Sequence, residues 1–334
     1  MTERDGRIPV LLVSGFLGSG KTTLIRHLLA DPRLQQTALI VNEFGEVGID
    51  HHLMRQTDEH TTLLRDGCVC CSLRDDLVEA MRGLLETRDR QEVAPFDRLL
   101  IETTGLADPS PILHTITSEP MLRNRYRMDR VLITLDAASG LSNLEHYGEA
   151  VRQVTAADVV ALTKLDLADP ETIAQLRGKV TALNPVATVV AAPFGRLDAD
   201  LAIGASQTPS SALTTMANEV MSPASLHSEA DAIHTYTLVF DTPLDWRMFG
   251  VWLTLVLHQH GSRILRMKGL LNVGNERGPL LLEGVQHVMH APRHLADWPD
   301  DDRLSRLVFI VRGIERDVVY DSLLAFQEAA AAAR

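Results

Sequence analysis

The sequence predicts an α/β protein, a doubly wound and mostly parallel sheet followed by a smaller α+β domain. Three observations carry this. Short, wholly apolar runs recur between residues 8 and 195 with helical patterns between several of them, as expected of strands covered on both faces by crossover helices. The first of these runs ends in a glycine-rich turn that opens a helix. Beyond a stretch rich in Ser, Thr and Pro, strand-like runs return with a helical segment among them and another at the end.

Taken in order, Ile8–Val13 is the first strand, and a helix is expected from about Lys21 to Ala30. Thr37–Val41 is strand-like. Ser72–Glu86 reads as an amphipathic helix because Leu73, Leu77, Ala80, Met81, Leu84 and Leu85 recur near helical periodicity. Arg98–Ile101, Arg130–Leu135, Asp158–Leu162 and Ala187–Ala191 are further strands. Ser206–Ser211 and Ser222–Ser225 have the chemistry of loops. A first domain at 1–200, a linker at 201–231 and a second domain at 232–334 are therefore expected. In the second, Ile233–Phe240, Ile264–Val273, Leu280–Met289 and Arg306–Val311 are strand-like. Asp245–His258 and the stretch from Glu315 to the end are helical, with the alanine-rich tail as a fraying end.

Composition narrows the function. The 334 residues are 45% hydrophobic and 23% charged, ordinary values for a globular chain. The net charge of −12 argues against a broad nucleic-acid surface. No apolar run is long enough to span a membrane, and the polar start, Met1–Arg7, does not resemble a signal peptide. All three cysteines fall at Cys68, Cys70 and Cys71, so they cannot pair off as disulfides, and a reducing compartment, by default the cytoplasm, is expected.

Gly15-Phe-Leu-Gly18-Ser19-Gly20-Lys21-Thr22 fits the phosphate-loop pattern of a P-loop NTPase, between an apolar strand and a helix. Backbone N–H groups and the helix N-terminus, including Thr23, would face the phosphates. Lys21 would reach the β- and γ-phosphates, and Thr22 would hold Mg²⁺. Leu99-Leu-Ile-Glu102-Thr-Thr-Gly105 resembles a Walker B strand with its exit turn. Glu102 would hold Mg²⁺ directly or through water, and the Gly105 N–H could meet a γ-phosphate. Thr163-Lys164-Leu-Asp166 follows another strand and looks like the guanine element [NT]-K-x-D. A carboxylate at Asp166 accepts from guanine N1–H and the 2-amino group, donors that adenine does not offer as a pair, and the Lys164 stem would lie over the base. Thr163 stands where Asn is usual, and its hydroxyl can replace one amide hydrogen bond. GTP is preferred to ATP on these residues, with a relaxed base preference as the alternative. The turn Ala192-Pro-Phe-Gly195 is placed to touch the far side of the base.

Cys68-Val-Cys70-Cys71 lies just before the predicted helix at Ser72, where a helix N-terminus favours thiolate. Thiolates are the ligands that zinc, and also cobalt or copper, would take. Glu43, Glu46, His51 and His52 are candidates to complete the shell. Glu43, at a strand end facing the expected nucleotide, could equally touch Mg²⁺ or the attacking water. A redox pair at Cys70 and Cys71 is the competing reading.

Together, Gly15–Thr22, Asn42-Glu-Phe-Gly45, Gly67–Cys71, Glu102–Gly105 and Thr163–Asp166 resemble the CobW-type GTPases of the CobW/HypB/UreG superfamily. Arg266-Met-Lys-Gly269 and Ser305–Gly313 resemble that family's C-terminal domain, so the resemblance spans nearly the whole chain. It implies a GTPase whose C-x-C-C motif, matched by Cys68, Cys70 and Cys71, binds a transition metal, commonly zinc or cobalt, and delivers it to a client protein. The chain lacks the long histidine-rich tract that some members carry; His258, His260, His287, His290 and His294 form only a loose group.

The mechanism expected from this is a metallochaperone switch. Mg²⁺-GTP orders 42–50 and 67–72 and brings the thiolates and a fourth ligand together; hydrolysis relaxes them and releases the metal. No residue plainly orients the attacking water, so slow turnover accelerated by a client is expected. Metal or nucleotide could also join two chains into a homodimer. Two other readings are an ATPase or kinase with a structural zinc or redox cluster, and a non-catalytic GTP-controlled metal sensor.

Overall fold

A computed structural model describes residues 6–42, 63–64, 73–203, 221–224, 233–274, 278–299 and 301–332. The chain divides into two compact units, Met1–Gly178 with Thr188–Gln207, and Lys179–Ala187 with Thr208–Arg334.

In the first unit β1 (Ile8–Gly15) leads through the phosphate loop to α1 (Lys21–Leu29). Then come β2 (Thr37–Asn42), the two-residue β3 (Leu63–Leu64), α2 (Leu73–Asp89) and β4 (Arg98–Thr103). Helices α3 (Pro109–Ser118) and α4 (Pro120–Arg125) precede β5 (Tyr126–Asp136). Helices α5 (Gly140–His146) and α6 (Gly148–Ala156) precede β6 (Val159–Thr163). Helix α7 (Pro170–Leu183), counted with this unit as far as Gly178, β7 (Thr188–Ala191) and the short α8 (Ala199–Ala202) complete it.

The strands form one sheet in the order β3-β2-β4-β1-β5-β6-β7, parallel at every pairing. Parallel order follows from the apolar character of the strands on both faces. Leu11 and Val13 pack with Leu24, Ile25 and Leu28 of α1, while Leu12, Leu99, Ile101, Val131 and Ile133 are also buried. Helix α2 is pinned from beneath by Tyr126 at the start of β5, whose hydroxyl donates to the Met81 carbonyl at 3.0 Å. Strand β5 thus begins at Tyr126, earlier than the apolar run Arg130–Leu135 suggested, because Ile8–Val10 pairs with Tyr126–Met128 ahead of an irregularity in the register. The consequence of parallel order is functional: the C-terminal ends of β1, β4, β5, β6 and β7 all open on one edge of the sheet, where ligands bind in such folds.

The second unit contains β8 (Met221–Ala224), β9 (Ile233–Phe240), α9 (Trp246–His260), β10 (Ile264–Leu271), β11 (Leu280–Val285), β12 (Val288–Met289), β13 (Arg293–His294), β14 (Ser305–Arg312) and α10 (Arg316–Ala332). Its sheet is antiparallel in the order β12-β11-β10-β14-β9-β8, with β13 pairing with β11. Alternate positions of β9 and β14 (Tyr236, Leu238, Leu307, Phe309, Val311) form one core with Phe249, Trp252 and Leu253 of α9 and Val319 and Leu323 of α10. Asp245 caps α9 by accepting from the Arg247 and Met248 amides. A charged pair joins the neighbouring strands β10 and β11. Lys268 lies directly across from Glu283, and their side chains pair at 2.8 Å.

Two expectations are corrected. The run Leu280–Met289 is not one strand: β11 and β12 form a hairpin through Gln286, whose φ is +52°. Ser222-Pro-Ala-Ser225, read as loop, contributes to strand β8; its Pro223 is tolerated because β8 is the last strand of the sheet. The rest of the expected linker lies outside the described residues, apart from Leu201 and Ala202 in α8 and Ile203 after it.

Candidate nucleotide-binding and hydrolysis site

The site is built from the loops that follow β1, β4, β5, β6 and β7. Gly20, in the left-handed region at φ +91°, caps α1 and turns the chain from the phosphate loop into the helix, a conformation that a side chain would strain. Beneath the loop lies a row of buried hydroxyls. Ser19 Oγ and Thr134 Oγ1 are 2.6 Å apart, and Thr103 Oγ1 donates to Ser14 Oγ at 2.6 Å. These tie β1, β4 and β5 together under the turn, so the loop rests on a satisfied polar floor. Above it, Phe16 packs its ring on Tyr147 at the start of α6, with centroids 4.7 Å apart.

Lys21 Nζ donates to the carbonyls of Gly15 at 2.9 Å and Phe16 at 3.2 Å. The ammonium is thus held over the loop that it would serve. Thr22 Oγ1 donates to Glu102 Oε1 at 3.2 Å. A hydroxyl and a carboxylate at this separation are hard oxygen donors of the kind Mg²⁺ takes beside phosphate oxygens. Glu102 is 6% exposed and follows the buried Leu99, Leu100 and Ile101 as the penultimate residue of β4, so its carboxyl is placed by the fold and not left to solvent. Gly105 follows at the exit turn and touches the phosphate loop; a Cβ here would stand 2.7 Å from the Leu17 amide nitrogen.

Thr163 ends β6, 3% exposed, and its Oγ1 donates to the Ser19 carbonyl at 2.7 Å. The threonine that departs from the usual Asn therefore binds the phosphate loop directly. Lys164 follows with φ +51°, and its Nζ pairs with Asp136 Oδ2 at 2.6 Å. Asp136 ends β5 and also accepts from the Ala138 amide at 2.8 Å. Asp166 lies in the short turn Leu165–Leu167 that follows. Across the end of β7, Phe194 stands 64% exposed with φ +53°, on the edge where the base would lie.

The structure thus brings Gly15, Gly18, Ser19, Gly20, Lys21, Thr22, Thr23, Glu102, Gly105, Thr163, Lys164 and Asp166 to one edge of the sheet. Glu43, Cys68, Cys70 and Cys71 lie outside the described residues, as do Glu46, His51 and His52. Their neighbours in sequence are placed: β2 runs beside β4 with Val41 opposite Glu102 and Asn42 opposite Thr103. Among the described residues, no group of three or more His, Cys, Asp or Glu side chains is arranged to hold a metal ion, so the C-terminal histidines form no such cluster. No described helix is long and apolar enough to cross a membrane. Two contributors escaped the sequence reading. Asp136, which fixes Lys164, carried a findable signal, a lone carboxylate closing an apolar strand as Glu102 does. Gln153, whose amide holds the turn after Glu102, carried none.

Comparison with known proteins matches two family models to successive parts of the chain. Residues 9–191 match the family described as CobW/HypB/UreG, nucleotide-binding domain, and residues 233–327 match the cobalamin synthesis protein cobW C-terminal domain. The chain is 34% identical over 307 residues to the zinc chaperone YjiA of Escherichia coli (strain K12), covering 91% of this chain and 93% of the relative. It is 29% identical to the zinc chaperone CobW of a Sinorhizobium species, covering 84% and 86% of the two chains. The crystal structure of Zn(II)-bound YjiA GTPase from E. coli superposes with a TM-score of 0.68 at 30% identity, covering 96% of this chain and 99% of that one. The chain belongs to the CobW/HypB/UreG family, joining its P-loop nucleotide-binding domain to a CobW C-terminal domain, and is a GTPase.

Proposed function

We propose that this GTPase is a zinc metallochaperone: it binds zinc as cargo at Cys68, Cys70 and Cys71 under the control of GTP and passes it to a client protein. The observation that carries this reading is the place of the cysteines in the sequence, between β3 and α2, in the connection that leaves β2, whose last residues pair with Glu102 and Thr103 of β4. The names of the two relatives, zinc chaperones both, support the metal and the role. Cobalt would fit the same thiolates. Glu43, the residue that follows β2, is proposed as a further ligand or as a contact to Mg²⁺ or the attacking water.

In the nucleotide site, Gly15, Gly18, Ser19, Gly20 and Thr23 line the phosphate path, and Lys21 binds the β- and γ-phosphates. Thr22 and Glu102 would hold Mg²⁺, which supplies neutralisation of the charge that develops on the phosphates. Thr163 braces the phosphate loop, Lys164 covers the base, and Asp166 selects guanine. Gly105 offers its N–H to the γ-phosphate and loses that contact on hydrolysis. Reciprocity requires that if GTP tightens zinc binding, zinc tightens GTP binding by the same factor.

The test is a zinc titration of the reduced protein against a chromophoric chelator, with Mg²⁺-GTP, Mg²⁺-GDP and Mg²⁺-ATP in parallel, repeated for Cys70→Ala/Cys71→Ala. Tighter zinc binding with GTP alone, lost in the double variant, is the expected result. Zinc binding that ignores the nucleotide would make the cluster structural or redox-active and end the chaperone reading.

A further inference from the structure

Gln153 lies on α6 and is 1% exposed. Its amide nitrogen donates to the carbonyl oxygens of Gly105 and Ala107, each at 3.1 Å. An amide oxygen in the same place would face two carbonyl oxygens, so only the nitrogen fits. Both acceptors belong to the turn that leaves β4 just after Glu102. The same turn is held at its far end, where Arg152 Nε pairs with Asp108 Oδ2 at 3.2 Å. At its near end Gly105 abuts the Leu17 main chain in the phosphate loop. An aliphatic side chain would pack α6 as well as glutamine does and would cost less to bury. Two hydrogens aimed at two carbonyls meet a different need, which is to fix the course of 105–107.

We infer that Gln153 is a positioning residue for GTP hydrolysis. It sets the Gly105 turn against the phosphate loop and thereby distinguishes a nucleotide that has a γ-phosphate from one that lacks it. The α- and β-phosphates are served by 15–22, with which Gln153 makes no hydrogen bond, so its loss falls on properties that depend on the third phosphate. The inference rests on GTP hydrolysis and the phosphate loop, and is independent of the zinc reading.

The experiment uses the full chain with Mg²⁺ and two substitutions: Gln153→Met keeps the length and removes both donors, and Gln153→Glu keeps the shape but offers the two carbonyls at most one hydrogen. Binding of GDP and of a non-hydrolysable GTP analogue, single-turnover hydrolysis and thermal unfolding are measured. GDP affinity should stay within about two-fold while analogue affinity and hydrolysis fall by about ten-fold, the effect of roughly one to two lost hydrogen bonds. Equal losses for GDP and analogue, or unchanged hydrolysis, would overturn it. Should the variants not fold, hydrogen exchange on the unaltered protein decides: the 105–108 amides should be better protected with the analogue than with GDP, and equal protection overturns the proposal. Turnover of the unaltered protein, measured alongside, tests GTP hydrolysis itself.

Discussion

Thr163 Oγ1 donates to the Ser19 carbonyl at 2.7 Å, so the end of β6 and the phosphate loop are one hydrogen-bonded body. The contact joins the element proposed to read the base to the loop proposed to hold the phosphates, across the sheet edge. It also explains how threonine serves where a longer amide is usual: β6 ends close enough for a hydroxyl to reach. Thr163→Val should leave that carbonyl buried without its donor, at a cost of about 1–3 kcal/mol. A titration with fluorescent GDP should show affinity falling by about ten-fold or more, and Thr163→Ser should restore most of it. A Thr163→Val protein that binds GDP as tightly as the unaltered chain would show the contact to be incidental.

Thr22 and Glu102 share a hydrogen bond at 3.2 Å and offer two oxygen ligands to Mg²⁺. Glu102→Gln should lower the hydrolysis rate by about a hundred-fold, since a carboxylate that would hold the charge-neutralising Mg²⁺ is lost. GDP binding with Mg²⁺ chelated should stay nearly unchanged. Magnesium titrations of both proteins would separate the two effects, and equal magnesium dependence would remove Glu102 from the metal's shell.

Glu283 supplies a pH prediction in the second unit. Burial raises its carboxyl pKa, but the Lys268 ammonium paired with it, with His290 and Arg266 nearby, outweighs burial and holds it well below the usual carboxylate range. A carboxyl whose folded pKa is depressed stabilises the fold fully above its unfolded pKa, and that contribution is lost as pH falls from there through the folded value. Denaturant unfolding of the unaltered protein should therefore weaken below about pH 4.5 more steeply than that of Glu283→Gln. Parallel curves for the two proteins would assign the acid sensitivity to other carboxyls.

Much of the fold was legible in the sequence because the strands are buried on both faces. Ile8–Val13, Arg98–Ile101 and Asp158–Leu162 are apolar at nearly every position, and few structures other than a covered parallel strand bury such short runs. The hairpin at Gln286 was not legible, since Leu280–Met289 holds only one glycine and no proline to mark the turn. Strand β8 was hidden for the opposite reason: its serine and proline read as loop, and only pairing with β9 makes it a strand.

By itself, the sequence determined which chemical groups the candidate nucleotide site has to offer. Phosphate-loop glycines, Lys21, Thr22 and Asp166 stand in motifs whose spacing is local, so each could be read from its own short stretch of chain. The tertiary structure decided how those stretches cooperate. Thr22 meets Glu102, Thr163 meets Ser19, Lys164 meets Asp136, and Gln153 meets Gly105 across separations of 28 to 144 residues. Such pairings depend on strand order and on where each strand stops, and a hydrogen bond changes its worth over a few tenths of an ångström. No local pattern encodes a distance between residues that only the closed sheet brings together.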